Sequence, residues 1–285
     1  MTLTPDNIGL GFTVQLKLEL FQHSGSFKAR GAFNSLLSVE VPETGVVAAS
    51  GGNHGAAVAF AAARLGIPAR IFVPEIAGAT KIGLIRAAGV EPDVVSGAYA
   101  DAFEASQTYQ RESGAMSIHA YDAPATLAGQ GTLGLEIQQQ LPEIDELLVA
   151  VGGGGLIGGI ASWFDHRVKV IAVEPENAPA LNAALRHGPE TDVEVSGVAA
   201  NSLGAKRIGR MCYDIAKARN LESVLVPDDA IVDAQKRLWA SARIAAEPGG
   251  AAALAALTSR VYQPDPGKTV AVLVCGGNID PSPFG

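Results

Sequence analysis

Leu18-Glu19-Leu20-Phe21-Gln22-His23-Ser24-Gly25-Ser26-Phe27-Lys28-Ala29-Arg30-Gly31-Ala32 is the stretch that decides how this chain is read. A strand-like run at residues 13–18 leads into it. A Ser/Gly turn follows, and then a helix with Lys28 in its first turn. Helix N-termini favour negative charge, so a cation there is penalised. A neutral or covalently modified lysine is not, and lysine lowers its pKa readily when desolvated, as Schiff-base lysines do. Taken alone, the pattern also fits an exposed lysine on an amphipathic helix, so the rest of the chain must decide.

Working outward, Val46-Val47-Ala48-Ala49-Ser50 reads as a short buried strand, 51–55 as a turn, 56–65 as an alanine-rich helix and 69–74 as the next strand. Such a β-α-β unit is the mark of a parallel sheet. Helices at 80–88 and 100–113 alternate with strands at 94–96 and 117–119, which gives a small α/β domain over residues 42–125. A helix follows at 126–141, opened by Gly129-Gln130-Gly131-Thr132. A buried strand at 147–151 then runs into Gly152-Gly153-Gly154-Gly155-Leu156, and helix resumes from 157 to 165. Strands at 169–173, 223–226 and 269–274 alternate with helices at 207–218, 230–246 and 251–259, while 191–203 reads as mostly irregular. Asp228 and Asp229 serve as helix caps, and Pro248-Gly249-Gly250 as a break. Residues 1–41 and 126–285 would form a larger domain into which the small one is inserted. The alternation predicts an α/β fold of two open, mostly parallel twisted sheets flanked by helices.

The bulk composition narrows the function classes. A chain of 285 residues with 48% hydrophobic content buries a sizeable core in one large or two modest domains. A net charge of −8 with no basic run argues against a nucleic-acid partner. No stretch is long enough to span a membrane and no signal-peptide pattern opens the chain, so a cytoplasmic location is expected. Cys212 and Cys275 lie far apart, have no metal-ligand spacing and are expected to be reduced.

Two turns carry chemistry on physical grounds. Strand, four glycines, then helix is an anion cradle, because backbone amides and a helix N-terminus can approach a phosphate closely. Ser50-Gly51-Gly52-Asn53-His54-Gly55 follows a strand at its carboxyl end, where ligands sit in open α/β sheets. A tight turn with no ligand is the plain alternative for the first. A helix cap is the plain alternative for His54.

Ser-Phe-Lys-Ala-Arg-Gly-Ala at 26–32, the 50–55 loop, Gly152 to Leu156 and Cys275-Gly276-Gly277-Asn278 occur in the order found in fold-type II pyridoxal-phosphate (PLP) enzymes. The chain most resembles their serine/threonine dehydratase (ammonia-lyase) branch, and the resemblance covers nearly its whole length. It implies a tryptophan synthase β-like fold with PLP joined to Lys28, which also removes the Cα proton. It implies that Asn53 bonds the cofactor's ring hydroxyl, and that Gly152, Gly153, Gly154, Gly155 and Leu156 hold its phosphate. Ser50, Gly51, Gly52, Asn53 and His54 would gather the substrate carboxylate. Cys275 would face the pyridine nitrogen. As a weak partner it would leave the ring a milder electron sink, favouring prompt loss of a β-substituent. Phe27 would pack on the ring face, with core packing as the equal alternative, and Glu247 would sit near the ring.

Similar serine racemases carry a second serine, acting as acid/base, where this chain has Gly51, which favours elimination over racemisation. The segment around Ala200 resembles a cation loop, with Glu174 as its partner. Asn201 stands where relatives often have aspartate, so potassium, a divalent cation and no metal all stay open. The leader before Lys28 is short against the family pattern, which suggests a truncated amino end or a lost loop. The end at Gly285 leaves no room for a regulatory domain, so feedback by isoleucine is not expected.

The expected activity is deamination of L-serine or L-threonine to pyruvate or 2-oxobutanoate and ammonia, by a homodimer. Racemisation, β-replacement as in cysteine or threonine synthases, and a silent amino-acid-binding relative are the alternatives. A further one from another class is a nicotinamide-binding oxidoreductase, since Glu174 lies about 20 residues beyond the glycines, where a ribose-binding acid would stand.

Overall fold

The computed structural model describes residues 1–282, with the side chains of 79–81 left aside. The chain opens with β1 (Thr2–Leu3), α1 (Pro5–Ile8), β2 (Val14–Leu18) and α2 (Lys28–Leu37). Then come β3 (Val46–Ala49), α3 (Asn53–Leu65), β4 (Ala69–Pro74), α4 (Ala79–Ala87), β5 (Asp93–Val95), α5 (Tyr99–Ser113) and β6 (Met116–Ser117). The remainder starts with α6 (Pro124–Gln140), β7 (Glu146–Ala150), α7 (Gly155–Phe164), β8 (Lys169–Pro175), α8 (Ala180–His187) and α9 (Ala200–Leu203). It closes with α10 (Arg210–Arg219), β9 (Glu222–Val226), α11 (Asp228–Ala242), α12 (Pro248–Thr258) and β10 (Val270–Val274).

The strands build two sheets, one of six in the order β1-β2-β10-β7-β8-β9 and one of four in the order β5-β4-β3-β6. Every pairing is parallel except β1 with β2. The central strands read as unbroken apolar runs because both of their faces are covered. β7 and β10 are buried at every residue. Fully burying a side chain such as Leu147 or Leu148 contributes about 1.5–3 kcal/mol. Each sheet has its own core, and α2 joins them: it starts beside β10 and buries Ala32 and Leu36 in the core of the smaller sheet.

Several element boundaries differ from the sequence reading. Helix α3 begins at Asn53 rather than at 56, because Gly52 is extended at the cap and Gly55 allows Ser50 O within 2.2 Å of where a Cβ would stand. Pro248 starts α12 instead of breaking a helix. It occupies the first turn, where its missing N–H costs nothing. Asp228 and Asp229 lie inside the first turn of α11, after Pro227. Helix α8 has no counterpart in the sequence reading. The strand expected at 117–119 ends at Ser117, and the chain crosses from one sheet toward the other through Ile118, His119, Ala120, Tyr121 and Asp122.

Candidate active site

The carboxyl ends of β2, β3, β7 and β10 lead into the four motif segments, which is where an open α/β sheet places its ligands. β10 lies between β2 and β7 in the large sheet, which sets Cys275 between the lysine turn and the glycine turn. Phe27 N donates to Cys275 O (3.0 Å), Gly277 N donates to Gly25 O (3.0 Å), and Ser26 bridges Gly276. The lysine turn is thereby sewn to the end of β10.

Arg30 fixes the first turn of α2. Its guanidinium donates to both oxygens of the buried Glu19 at 2.7 Å each and to Glu136 on α6. Lys28 is half-buried, and Nζ donates to Ala120 O at 2.7 Å. Burial lowers its pKa from 10.5 to about 8, against the opposing influence of Cys275 and Glu247. A pKa near 8 leaves roughly a tenth of that amine neutral and nucleophilic at pH 7, far more than an ordinary lysine offers. Phe27 packs on the larger core, with its ring centroid 5.2 Å from Nζ.

Asn53 sits in a hydrogen-bonded chain. Its Nδ2 donates to Glu247 Oε1 (2.6 Å), and its Oδ1 accepts from Asn278 Nδ2 (2.8 Å), which also donates to Ser24 O. Glu247 is buried, and a Cβ at Gly276 would stand 2.1 Å from its Oε1. Cys275 donates weakly to Gly249 O (3.4 Å), and burial pushes its thiol far above the ordinary range, so it is neutral. His54 donates Nε2–H to Ile118 O (2.9 Å), and burial lowers its pKa to about 3. Its ring is therefore neutral and turned to the backbone, and its contribution at the turn is its amide. Ser50 Oγ accepts from Gly52 N (3.2 Å). A Cβ at Gly51 would lie 2.4 Å from Ala77 Cβ, so this position has neither a side chain nor room for one as it stands.

The glycine turn leaves the amides of Gly152, Gly153, Gly154, Gly155 and Leu156 without an acceptor among the described residues. Gly154, with φ +89°, caps α7. A run of open amides at the start of a buried helix suits a phosphate. Close to Lys28, Ser24 Oγ and Ser26 Oγ are buried with no partner among the described residues. An open anion cradle, a deprotonatable lysine and a neutral thiol between them fit a phosphorylated aldehyde cofactor.

The proposed cation ligands do not form such a set. Glu174 is fully buried at the end of β8. Its two oxygens accept from Leu181 N (2.7 Å), Asn182 N (2.8 Å) and Ser223 Oγ (2.9 Å). Burial raises its pKa to about 7 despite those bonds. It serves the N-terminus of α8, as a carboxylate does. Ala200 opens α9, apart from those contacts. No three His, Cys, Asp or Glu side chains cluster as a metal site among the described residues. Glu174 is equally unavailable as a ribose acceptor.

The crossing segment was missed by the sequence reading. Besides Ile118 O and Ala120 O, it supplies His119 Nδ1, which accepts from Asp122 N (2.8 Å) and Tyr121 N (3.2 Å). Asp122 accepts from Arg210 N and Met211 N, both at 3.0 Å, at the start of α10. Its sequence has no periodicity and no motif, so only its turn-like composition hinted at a loop. Asn278 was visible within the Cys275 motif but was not assigned a role.

Residues 3–276 match the family model described as pyridoxal-phosphate dependent enzyme. L-threonine ammonia-lyase of Thermotoga maritima is 40% identical over 275 residues, 95% of this chain and 68% of that one. The crystal structure of a T.th. threonine deaminase superposes with a TM-score of 0.90 at 34% identity, covering 98% of this chain and 92% of that one. Maize serine racemase gives 0.89 at 31% identity, covering 99% and 89%.

Proposed function

We propose a hydroxy-amino-acid dehydratase, on the premise that the chain belongs to the family of pyridoxal-phosphate-dependent enzymes. The reaction is removal of the β-hydroxyl and amino groups of L-threonine or L-serine, yielding 2-oxobutanoate or pyruvate and ammonia. Relatives named as ammonia-lyases and dehydratases support the reaction class. The cofactor, when bound, supplies the electron sink for charge that develops at the substrate's Cα.

The chain's own residues do the rest. Lys28 would hold the cofactor covalently, and as a free amine its Nζ would be the group that takes the Cα proton. Its lowered pKa of about 8 suits a base working near neutrality. The amides of the glycine turn hold the phosphate. Asn53, steadied by Glu247 and Asn278, would hold the ring hydroxyl. The neutral Cys275 would be the partner of the ring nitrogen and would offer it no strong acid. The amides at the start of α3, with Ser50, receive the substrate carboxylate.

The observation that carries elimination over racemisation is Gly51, where no side chain is present to deliver a proton to the second face. Glu174, satisfied by α8, gives no reason to include a cation. We further infer a cytoplasmic homodimer, on the resemblance alone. A coupled assay for keto acid over a panel of hydroxy-amino acids, with D-serine formation read in parallel, tests the reading. Keto acid and ammonia in equal amounts from L-threonine or L-serine, with D-serine minor, is the expected result. Racemisation without keto acid would overturn it.

A further inference from the structure

Three of the four glycines in the turn after β7 face crowded surroundings, and two of them face one residue. A Cβ at Gly153 would lie 2.3–2.6 Å from Cδ1, Cγ and Cε1 of Tyr121. A Cβ at Gly155 would lie 2.8 Å from the Cα and carbonyl oxygen of Tyr121. The aromatic ring thus lies directly on Gly153, and the Tyr121 backbone runs along Gly155.

Tyr121 is itself firmly held. The His119 ring meets its ring edge-on at 4.9 Å and 81°, and His119 Nδ1 accepts its amide. On its far side Asp122 caps α10, and Gly209 N at that helix start donates to Gly153 O (3.0 Å). On its near side Ala120 O accepts from Lys28 Nζ. No hydrogen bond of the Tyr121 hydroxyl to a described residue is found; what the side chain supplies is its ring. Burial is the main cause that raises its pKa, so the phenol stays neutral.

We propose that Tyr121 is a positioning residue of the cofactor cradle. Its ring and backbone back the Cα side of Gly153 and Gly155 and hold the turn in the form whose amides are open to a phosphate ester. The same short segment ties that turn to the lysine amine, so one strap registers the two ends of the cofactor site. This inference rests on the cofactor reading above. Its ligand is the phosphate of a phosphorylated pyridine aldehyde, and the unphosphorylated aldehyde is the natural control.

The test is equilibrium binding of pyridoxal phosphate and of pyridoxal to the cofactor-free protein, followed by visible absorbance. The variants are Tyr121→Phe, Tyr121→Ala, Gly153→Ala and the double variant Tyr121→Ala/Gly153→Ala. Tyr121→Ala is expected to weaken pyridoxal phosphate by about tenfold or more while leaving pyridoxal unchanged. Tyr121→Phe keeps the ring and is expected to stay within about twofold of the parent. Gly153→Ala adds a methyl group against the ring and is expected to weaken the phosphate ester similarly. The double variant, with the ring gone, should bind better than the product of the two single losses. That non-additivity distinguishes a direct ring–glycine contact from general loosening.

Should Tyr121→Ala fail to fold, Gly153→Ala probes the same contact with the ring in place. Parent-like preference for the phosphate ester in Tyr121→Ala or Gly153→Ala overturns the assignment, as does a multiplicative double variant. A parent protein with no preference for the phosphate ester overturns the cofactor reading as well.

Discussion

Two turns of this molecule share one pattern, a buried parallel strand followed by glycines and a helix, and differ in what surrounds them. After β3, Gly52 has nothing within 4 Å of where a Cβ would stand, and the following Asn53 is locked by Glu247 and Asn278. After β7, Gly153, Gly154 and Gly155 are pressed by Tyr121 and Cys212, and the amides are left open. The first turn is crowded at Gly51 and Gly55 but keeps space at Gly52, beside fixed polar groups, as a substrate entry requires. The second is a packed wall whose only free functionality is its N–H groups, as a permanently held anion requires. Glycine content alone does not distinguish these uses; the neighbours of each glycine do.

The largest effect expected belongs to the residue both turns serve. Lys28→Ala should abolish covalent cofactor attachment and lower keto-acid release by about 10³-fold or more, read in the coupled assay. Next comes the packed turn. Gly154→Ala forces a side chain into φ +89° with its Cβ 2.4 Å from Cys212 Sγ. It should cost about 2–4 kcal/mol in urea unfolding of the cofactor-free protein. A smaller, pH-linked effect follows from the lysine. Lys28 in the folded chain titrates at about 8 against 10.5 unfolded, so between these pH values the unfolded chain binds more protons. Its contribution to the stability of the cofactor-free protein should therefore rise with pH across that window, and Lys28→Met should remove this rise. The rate of cofactor attachment should likewise level off above about pH 8. The smallest effect belongs to the open turn: Gly52→Ala should change unfolding free energy by no more than about 0.5 kcal/mol. If Gly52→Ala proved as damaging to the fold as Gly154→Ala, the contrast between the two turns would be broken.

Much of the architecture was legible because buried parallel strands are written as unbroken apolar runs, as in Val270-Ala271-Val272-Leu273-Val274. The lysine stretch and the glycine turn were legible because their chemistry restricts residue types. What escaped depends on partners distant in sequence. Nothing near Glu174 announces that Leu181, Asn182 and Ser223 will satisfy it, so its cation role could not be set aside beforehand. Asn53 as the start of α3 depends on Gly52 being extended and Gly55 sitting against Ser50 O. The segment from Ile118 to Asp122 has no repeating face; its carbonyls, one imidazole and one ring acquire meaning only where two sheets meet.

The central claim is that Lys28 carries the cofactor. Protein supplied with pyridoxal phosphate, reduced with borohydride, digested and examined by mass spectrometry tests it most directly. A phosphopyridoxyl group on the peptide containing Lys28, absent when pyridoxal phosphate is withheld, is the predicted result. Modification confined to other lysines, or no modification at all, would contradict the account.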